Sequence, residues 1–220
     1  MSAALSKGFM LAGGTGAAGL ATYGGYSLLK EDSHEATSLT IWQVVSPKKE
    51  KFVLSVDTTS HDKEWEEIVK SINNETKVKN VFGGKVLTKE ELKDWCSKNK
   101  TESSDDEGLL EDYESWCTKA SNFGQLKTLN KEALGEGDSQ TWETNFSNYK
   151  SSANTDNRIT DASGAAKNDS NLSNKEELIN WCNGNARSLY QAESATSKAY
   201  VKWCTKDTKT AVSPTPASEA

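Results

Sequence analysis

The sequence predicts a mainly α-helical protein: a single N-terminal transmembrane helix followed by two tandem homologous helical modules, with room for short β elements. Three observations predict it: a repeated tryptophan–cysteine dipeptide, a helical spacing of apolar residues, and a long uncharged N-terminal segment. The expected domains are a membrane anchor or signal peptide (1–29), a linker (30–38), module 1 (39–122), module 2 (123–206) and a disordered tail (207–220).

The repeat is carried by the cysteines, each of which directly follows a tryptophan, at Trp95-Cys96, Trp116-Cys117, Trp181-Cys182 and Trp203-Cys204. The motif Lys-Glu-Glu-Leu-x-x-Trp-Cys that ends at Cys96 returns 86 residues later, and Tyr-x-x-Trp-Cys-Thr-Lys around Cys117 returns 87 residues later. Upstream, Trp65 returns as Trp142 after only 77 residues, so module 2 has gained residues in between. We place this insertion in a loop at 151–171, which is rich in Asn, Ser, Asp and Gly.

Each module is predicted to contain three helices. The first follows an i, i+3, i+4, i+7 stripe (Trp65, Ile68, Val69, Ile72), copied as Trp142, Phe146 and Tyr149. The second begins at a capping box of Thr88 and Glu91, copied as Asn174 and Glu177, with a Leu87/Leu92 staple in module 1 only. The third carries Leu109, Tyr113, Trp116 and Ala120, and its copy is predicted as a longer helix over 186–203. Residues 38–57 fit either two short strands or a helix and a strand.

The composition suggests why such modules need cross-links. Only 35% of residues are apolar and the mean hydropathy is −0.72, so each module of this size has a thin core. Four cysteines allow three pairings, and duplication of a self-contained unit favours Cys96–Cys117 and Cys182–Cys204. The alternative is four buried free thiols. A zinc site is less favoured, because the chain has no Cys-x-x-Cys and its two histidines lie far from the cysteines in sequence.

The N-terminus predicts export. Residues 8–29 carry no charge and are long enough to cross a bilayer, which makes the membrane the expected partner and a single-pass cell-membrane location the expectation. Lys7 before this segment and the acidic residues after it favour extracellular modules. Cleavage after Ala21 is the alternative, and it would release a secreted helical effector.

No motif predicts an enzyme, so no catalytic, cofactor-binding or metal-binding residue is expected. The run from Gly14 to Gly19 matches a dinucleotide-binding G-x-G-x-x-G, but the strands and helices that such a site requires do not follow it. A dinucleotide-binding enzyme therefore remains a minor alternative. The net charge of −6 and the lack of a basic patch argue against nucleic-acid binding.

The duplicated modules resemble the large paralogous families of membrane-associated proteins of haemotropic mycoplasmas, over nearly the whole chain. The residues that carry the resemblance are Leu92/Trp95/Cys96, Tyr113/Trp116/Cys117, their copies Leu178/Trp181/Cys182 and Tyr200/Trp203/Cys204, and Trp65 and Trp142. The resemblance implies a surface-exposed protein of a wall-less bacterium, with a role in antigenic variation or host-cell contact. It implies no activity and no ligand.

Overall fold

A computed structural model describes residues 38–151, 157–161, 163–168 and 170–208, which belong to one compact unit. This part of the chain is mainly helical, as the sequence predicts. None of its helices is both long enough and apolar enough to cross a membrane. The predicted anchor, nearly all of the linker and most of the predicted tail lie outside the described residues.

The order of elements is the same in both halves of the chain, except that the first half has one additional helix. The first half contains α1 (Ile41–Val45), β1 (Lys51–Val53), α2 (Asp62–Ile72), α3 (Thr76–Val81), α4 (Lys89–Asn99), α5 (Glu107–Trp116) and β2 (Thr118–Ala120). The second contains α6 (Asn122–Gln125), β3 (Lys131–Ala133), α7 (Ser139–Lys150), α8 (Lys175–Asn185), α9 (Ala195–Trp203) and β4 (Thr205–Asp207). The additional helix is α3.

Each half is closed by a short antiparallel strand pair. Strand β1 pairs with β2, with Phe52 opposite Lys119, and β3 pairs with β4, with Glu132 opposite Lys206. The strands of each pair come from the beginning and the end of one module. Each pair therefore joins the two ends of its module.

The backbone contacts beside these strands are repeated in detail. Leu54 N–H donates to the Cys117 carbonyl at 3.1 Å, and Leu134 N–H donates to the Cys204 carbonyl at 2.9 Å. The indole N–H of Trp65 donates to the Ser55 carbonyl at 3.0 Å, and Trp142 makes the equivalent bond at 3.1 Å. The two modules thus share a tertiary structure as well as a sequence pattern.

Several helices begin where the sequence predicts. The Thr88 hydroxyl accepts the Glu91 N–H at the start of α4, and the Glu91 carboxylate accepts the Thr88 N–H, which completes the predicted capping box. At α8 the Asn174 side chain accepts the Glu177 N–H at 2.9 Å. Of the two alternatives for residues 38–57, the structure has the helix and the strand, α1 and β1.

Two predicted helix boundaries are wrong. Helix α5 ends at Trp116, and Ala120 lies in β2 instead of continuing the helical stripe. Helix α9 begins at Ala195, nine residues later than the predicted start at Ala186. The physical reason is the same in both cases: the backbone there makes long-range hydrogen bonds, such as Tyr190 N–H to the Ala120 carbonyl at 3.0 Å, instead of helical ones.

In the described part of the chain, the hydrophobic core consists of two clusters, one in each module. The first contains Trp65, Leu92 and Tyr113, and the second contains Tyr149 and Leu178, all of them at most 2% exposed. Both members of the predicted staple, Leu87 and Leu92, are buried in the first cluster. Since each module has its own core, each can bury its apolar residues largely against its own elements.

Candidate functional site

The four cysteines form two disulfides, Cys96–Cys117 and Cys182–Cys204, which is the pairing within modules. The Cα–Cα distances are 5.8 and 5.5 Å, inside the usual range for a disulfide. All four cysteines are at most 3% exposed. The bonds tie α4 to the end of α5 and α8 to the end of α9, so they hold together the helices that surround each core.

Three of the four tryptophans beside the cysteines pack on other aromatic rings. In module 1 the Trp95 and Trp116 ring centroids lie 5.0 Å apart, and Phe82 lies 6.4 and 6.2 Å from them. In module 2 Trp203 lies 5.1 Å from Tyr149. Large rings bury much apolar area per residue, so a small core gains most from them. The Trp-Cys dipeptide thus places a cross-link and a large core side chain at the same point of the helix.

A groove of about 780 Å³ lies beside the disulfide of module 2. We call it the module 2 groove. Its apolar lining includes Phe123, Ala133, Trp142, Ile179, Ala186 and Tyr200. Along α8, lining residues recur from Lys175 to Asn183, so the groove follows one face of this helix. Burial in its wall raises the pKa of the Tyr200 hydroxyl to about 12, so this residue is a neutral part of the lining at physiological pH.

Module 1 fills the equivalent place with ion-paired side chains. There Lys93, at the position of Ile179, donates to Asp62 at 2.5 Å and to the Thr58 carbonyl at 3.2 Å. Asp62 stands at the position of Ser139, which also lines the groove. Module 2 lacks both members of this ion pair, and an apolar side chain stands at the position of the lysine.

The loop beside this place also differs between the modules. Residues 55–61 precede α2, whereas only residues 135–138 precede α7, so module 2 is shorter by three residues at this point. The shorter loop contains Gly135, whose N–H donates to the Asp138 carboxylate at 2.8 Å, where module 1 has Ser55 donating to His61 Nδ1 at 2.9 Å. A shorter loop and two residue differences therefore distinguish the wall of the groove in module 2 from the equivalent place in module 1.

The charges around the groove are unevenly placed. Lys49 and Arg187 border it where α8 ends, and Arg187 donates to the backbone carbonyls of Ser46 and Pro47, the first at 3.1 Å. Glu176 lies at the other end, in the first turn of α8. Within the described part of the chain, no carboxylate pairs with either cation.

The remaining charges are on the loop before α7 and at the start of α8. Glu136, on that loop, and Glu176 have no ion-pair partner among the residues described. Lys175 differs, because it donates to Glu143, and this hydrogen bond raises the pKa of the lysine. Among the described residues, the groove charges without an ion-pair partner are thus positive where α8 ends, and negative where α8 begins and on the loop before α7.

Comparison with known proteins adds no assignment. No family model, curated protein or solved structure matches this chain.

The other residues singled out in the sequence do not form a site in the described structure. The glycines from Gly14 to Gly19 and His34 lie outside the described residues. His61 accepts the Ser55 N–H and contacts the Phe52 ring edge-on at 5.2 Å, which gives it a structural role. Residues 38–151, 157–161, 163–168 and 170–208 contain no cluster of three or more His, Cys, Asp or Glu able to hold a metal ion.

The module 2 groove was not anticipated from the sequence. A signal for it exists, because aligning the two repeats places Ile179 opposite Lys93 and shows a shorter segment before Trp142. These two differences are far apart in the sequence, and only the folded structure shows that they lie side by side.

Proposed function

We propose that this chain is a structural or binding protein displayed on the outer face of a cell membrane, anchored by residues 8–29. The observation that carries the proposal is the pair of equivalent buried disulfides. Stable disulfides form in oxidising compartments, and a protein with a thin core depends on them. The resemblance to surface-associated proteins of haemotropic mycoplasmas agrees with this location and with a role in antigen variation or host-cell contact.

A membrane-impermeant amine reagent tests the location. Lys85 and Lys98 have side chains that are 61% and 72% exposed, so they should be labelled in intact cells to the same extent as in lysed cells. A cytoplasmic protein from the same cells, labelled only after lysis, is the control. Labelling of both lysines only after lysis would place the modules inside the cell and would contradict the proposal.

Cleavage after Ala21 would instead release a secreted helical effector. The small residues Gly19 and Ala21 are of the kind that a signal peptidase recognises. The intact mass of the protein isolated from cells and from culture medium separates the two cases. An anchored protein keeps its N-terminal residues and sediments with membranes, whereas the effector lacks 1–21 and is recovered from the medium.

A dinucleotide-binding enzyme that uses Gly14 to Gly19 would depend on these residues for its fold. Removal of 1–30 therefore distinguishes it from the surface protein. The surface protein should keep its helical circular dichroism and both disulfides without this segment, because all four cysteines and the described core residues lie between Ile41 and Cys204.

A further inference from the structure

We propose that the module 2 groove binds a short peptide segment in which an apolar side chain lies between an acidic residue and a basic residue. The proposal rests on the binding role proposed above, but it does not depend on the membrane location. The shape, the lining and the charges of the groove indicate the chemistry of the partner.

The difference between the modules shows that the groove is not a requirement of the fold. Module 1 has equivalents of α7, α8 and α9 and an equivalent disulfide, and there Lys93 and Asp62 form an ion pair. In module 2 Ile179 and Ser139 leave an open apolar wall. An apolar wall that is left open costs free energy in water, and this cost is recovered when a ligand covers it.

The dimensions fit a short extended segment. Helix α8 has 11 residues and is therefore about 16 Å long. An extended peptide advances about 3.3 Å per residue, so about five residues span the groove. The half-buried Ile179 of the groove wall offers contact area to an apolar side chain.

The charges fix the polarity of the ligand. Lys49 and Arg187 attract an acidic group to the end of α8, and Glu176 attracts a basic group to its start. Asn183 and Ser139 add side chains that can hydrogen-bond a peptide backbone. A fatty acid would satisfy the cations, but its alkyl chain would then run towards carboxylates with no hydrogen-bonding group to offer them. The lining therefore favours a peptide over a lipid.

The test uses the oxidised full-length protein and a random heptapeptide library with blocked ends. Recovered peptides are labelled with a fluorophore and their affinities are measured by fluorescence anisotropy. We expect them to share an acidic residue and a basic residue on opposite sides of an apolar one. Oleate, added in the same assay, tests the lipid alternative.

Three variants locate the binding site. Ile179→Lys introduces the residue that fills the equivalent place in module 1, and it should weaken binding about tenfold or more. Arg187→Glu should remove the preference for an acidic residue, because the new carboxylate then stands beside Lys49, the other cation at this end of the groove. Lys93→Ala, the matched change on α4, should leave the affinity unchanged.

The proposal fails if no peptide is recovered above background, if oleate binds and peptides do not, or if Arg187→Glu selects the same peptides as the wild-type protein. Equal binding by Ile179→Lys and wild type would also overturn it, provided that circular dichroism shows the variant folded. If Ile179→Lys does not fold, Arg187→Glu alone decides. None of these results depends on where the protein lies in the cell, so they are separate from the surface-labelling result.

Discussion

Breaking the disulfide of either module should destabilise the protein strongly. The perturbation is the paired replacement Cys96→Ala with Cys117→Ala, compared with Cys182→Ala with Cys204→Ala. The two bonds close loops with sequence separations of 21 and 22 residues, so they restrict the unfolded chain almost equally. For loops of this length the chain-entropy model gives about 3 kcal/mol for each bond.

A loss of about 3 kcal/mol is large for a small domain, whose total stability is about 5–15 kcal/mol. The alanine pairs also remove two buried sulfur atoms, and the resulting cavity adds to the loss. Reduced wild-type protein keeps the sulfur atoms and loses only the cross-link. An alanine pair and wild type, both measured under reducing conditions, have no cross-link, so the difference between them isolates the contribution of packing at that pair.

Urea unfolding followed by tryptophan fluorescence measures both quantities. Every cysteine follows a tryptophan, so the fluorescence reports on the region around each bond. We expect the two alanine pairs to lower the free energy of unfolding by similar amounts. Reduction of the wild-type protein should remove the contributions of both disulfides together. The reasoning is refuted if reductant leaves the urea midpoint unchanged, or if one alanine pair costs less than about 1 kcal/mol while the other costs the expected amount.

Three further substitutions test the packing and the ion pairs. Gly124→Ala would place a Cβ atom 2.0 Å from the Glu50 carbonyl oxygen, so it should cost about 1–3 kcal/mol in urea unfolding. Gly184→Ala, in α8, meets no atom within 4 Å and should instead be stabilising by up to about 1 kcal/mol; equal effects of the two changes would argue against the close approach. Asp138 should make stability acid-sensitive, because the hydrogen bond from Lys206 lowers the pKa of this carboxyl below its ordinary value of 3.8. Its stabilising contribution is present above 3.8 and is lost as the pH falls through the lowered value, so Asp138→Asn should show a smaller fall in melting temperature on acidification than wild type, and parallel curves would contradict this.

The features that the sequence predicts well are those with a local or repeated signal. The stripe at Trp65 and the capping box at Thr88 lie within one or two helical turns, so spacing alone locates α2 and α4. A second capping box, formed by Thr40 and Gln43, was present in the sequence and would have located α1.

The features that were missed depend on contacts distant in sequence. Strand β2 has only three residues, too few for a period to appear, and it is defined by its pairing with Lys51 and its neighbours. Leu189 was placed in a helix because its neighbours have helical spacing, yet it forms a bridge with Ser121. The groove depends on Ile179 and Ser139, which are 40 residues apart in the chain. No local pattern brings such residues together.

The central claim is that two homologous modules are each closed by their own disulfide in the native protein. Peptide mapping by mass spectrometry under non-reducing conditions, on protein isolated from its own cells with free thiols blocked, tests it most directly. The expected result is two cross-linked peptides, one joining Cys96 to Cys117 and the other joining Cys182 to Cys204, with no blocked cysteine. Four blocked cysteines, or a peptide that links Cys96 or Cys117 to either cysteine of module 2, would contradict the claim.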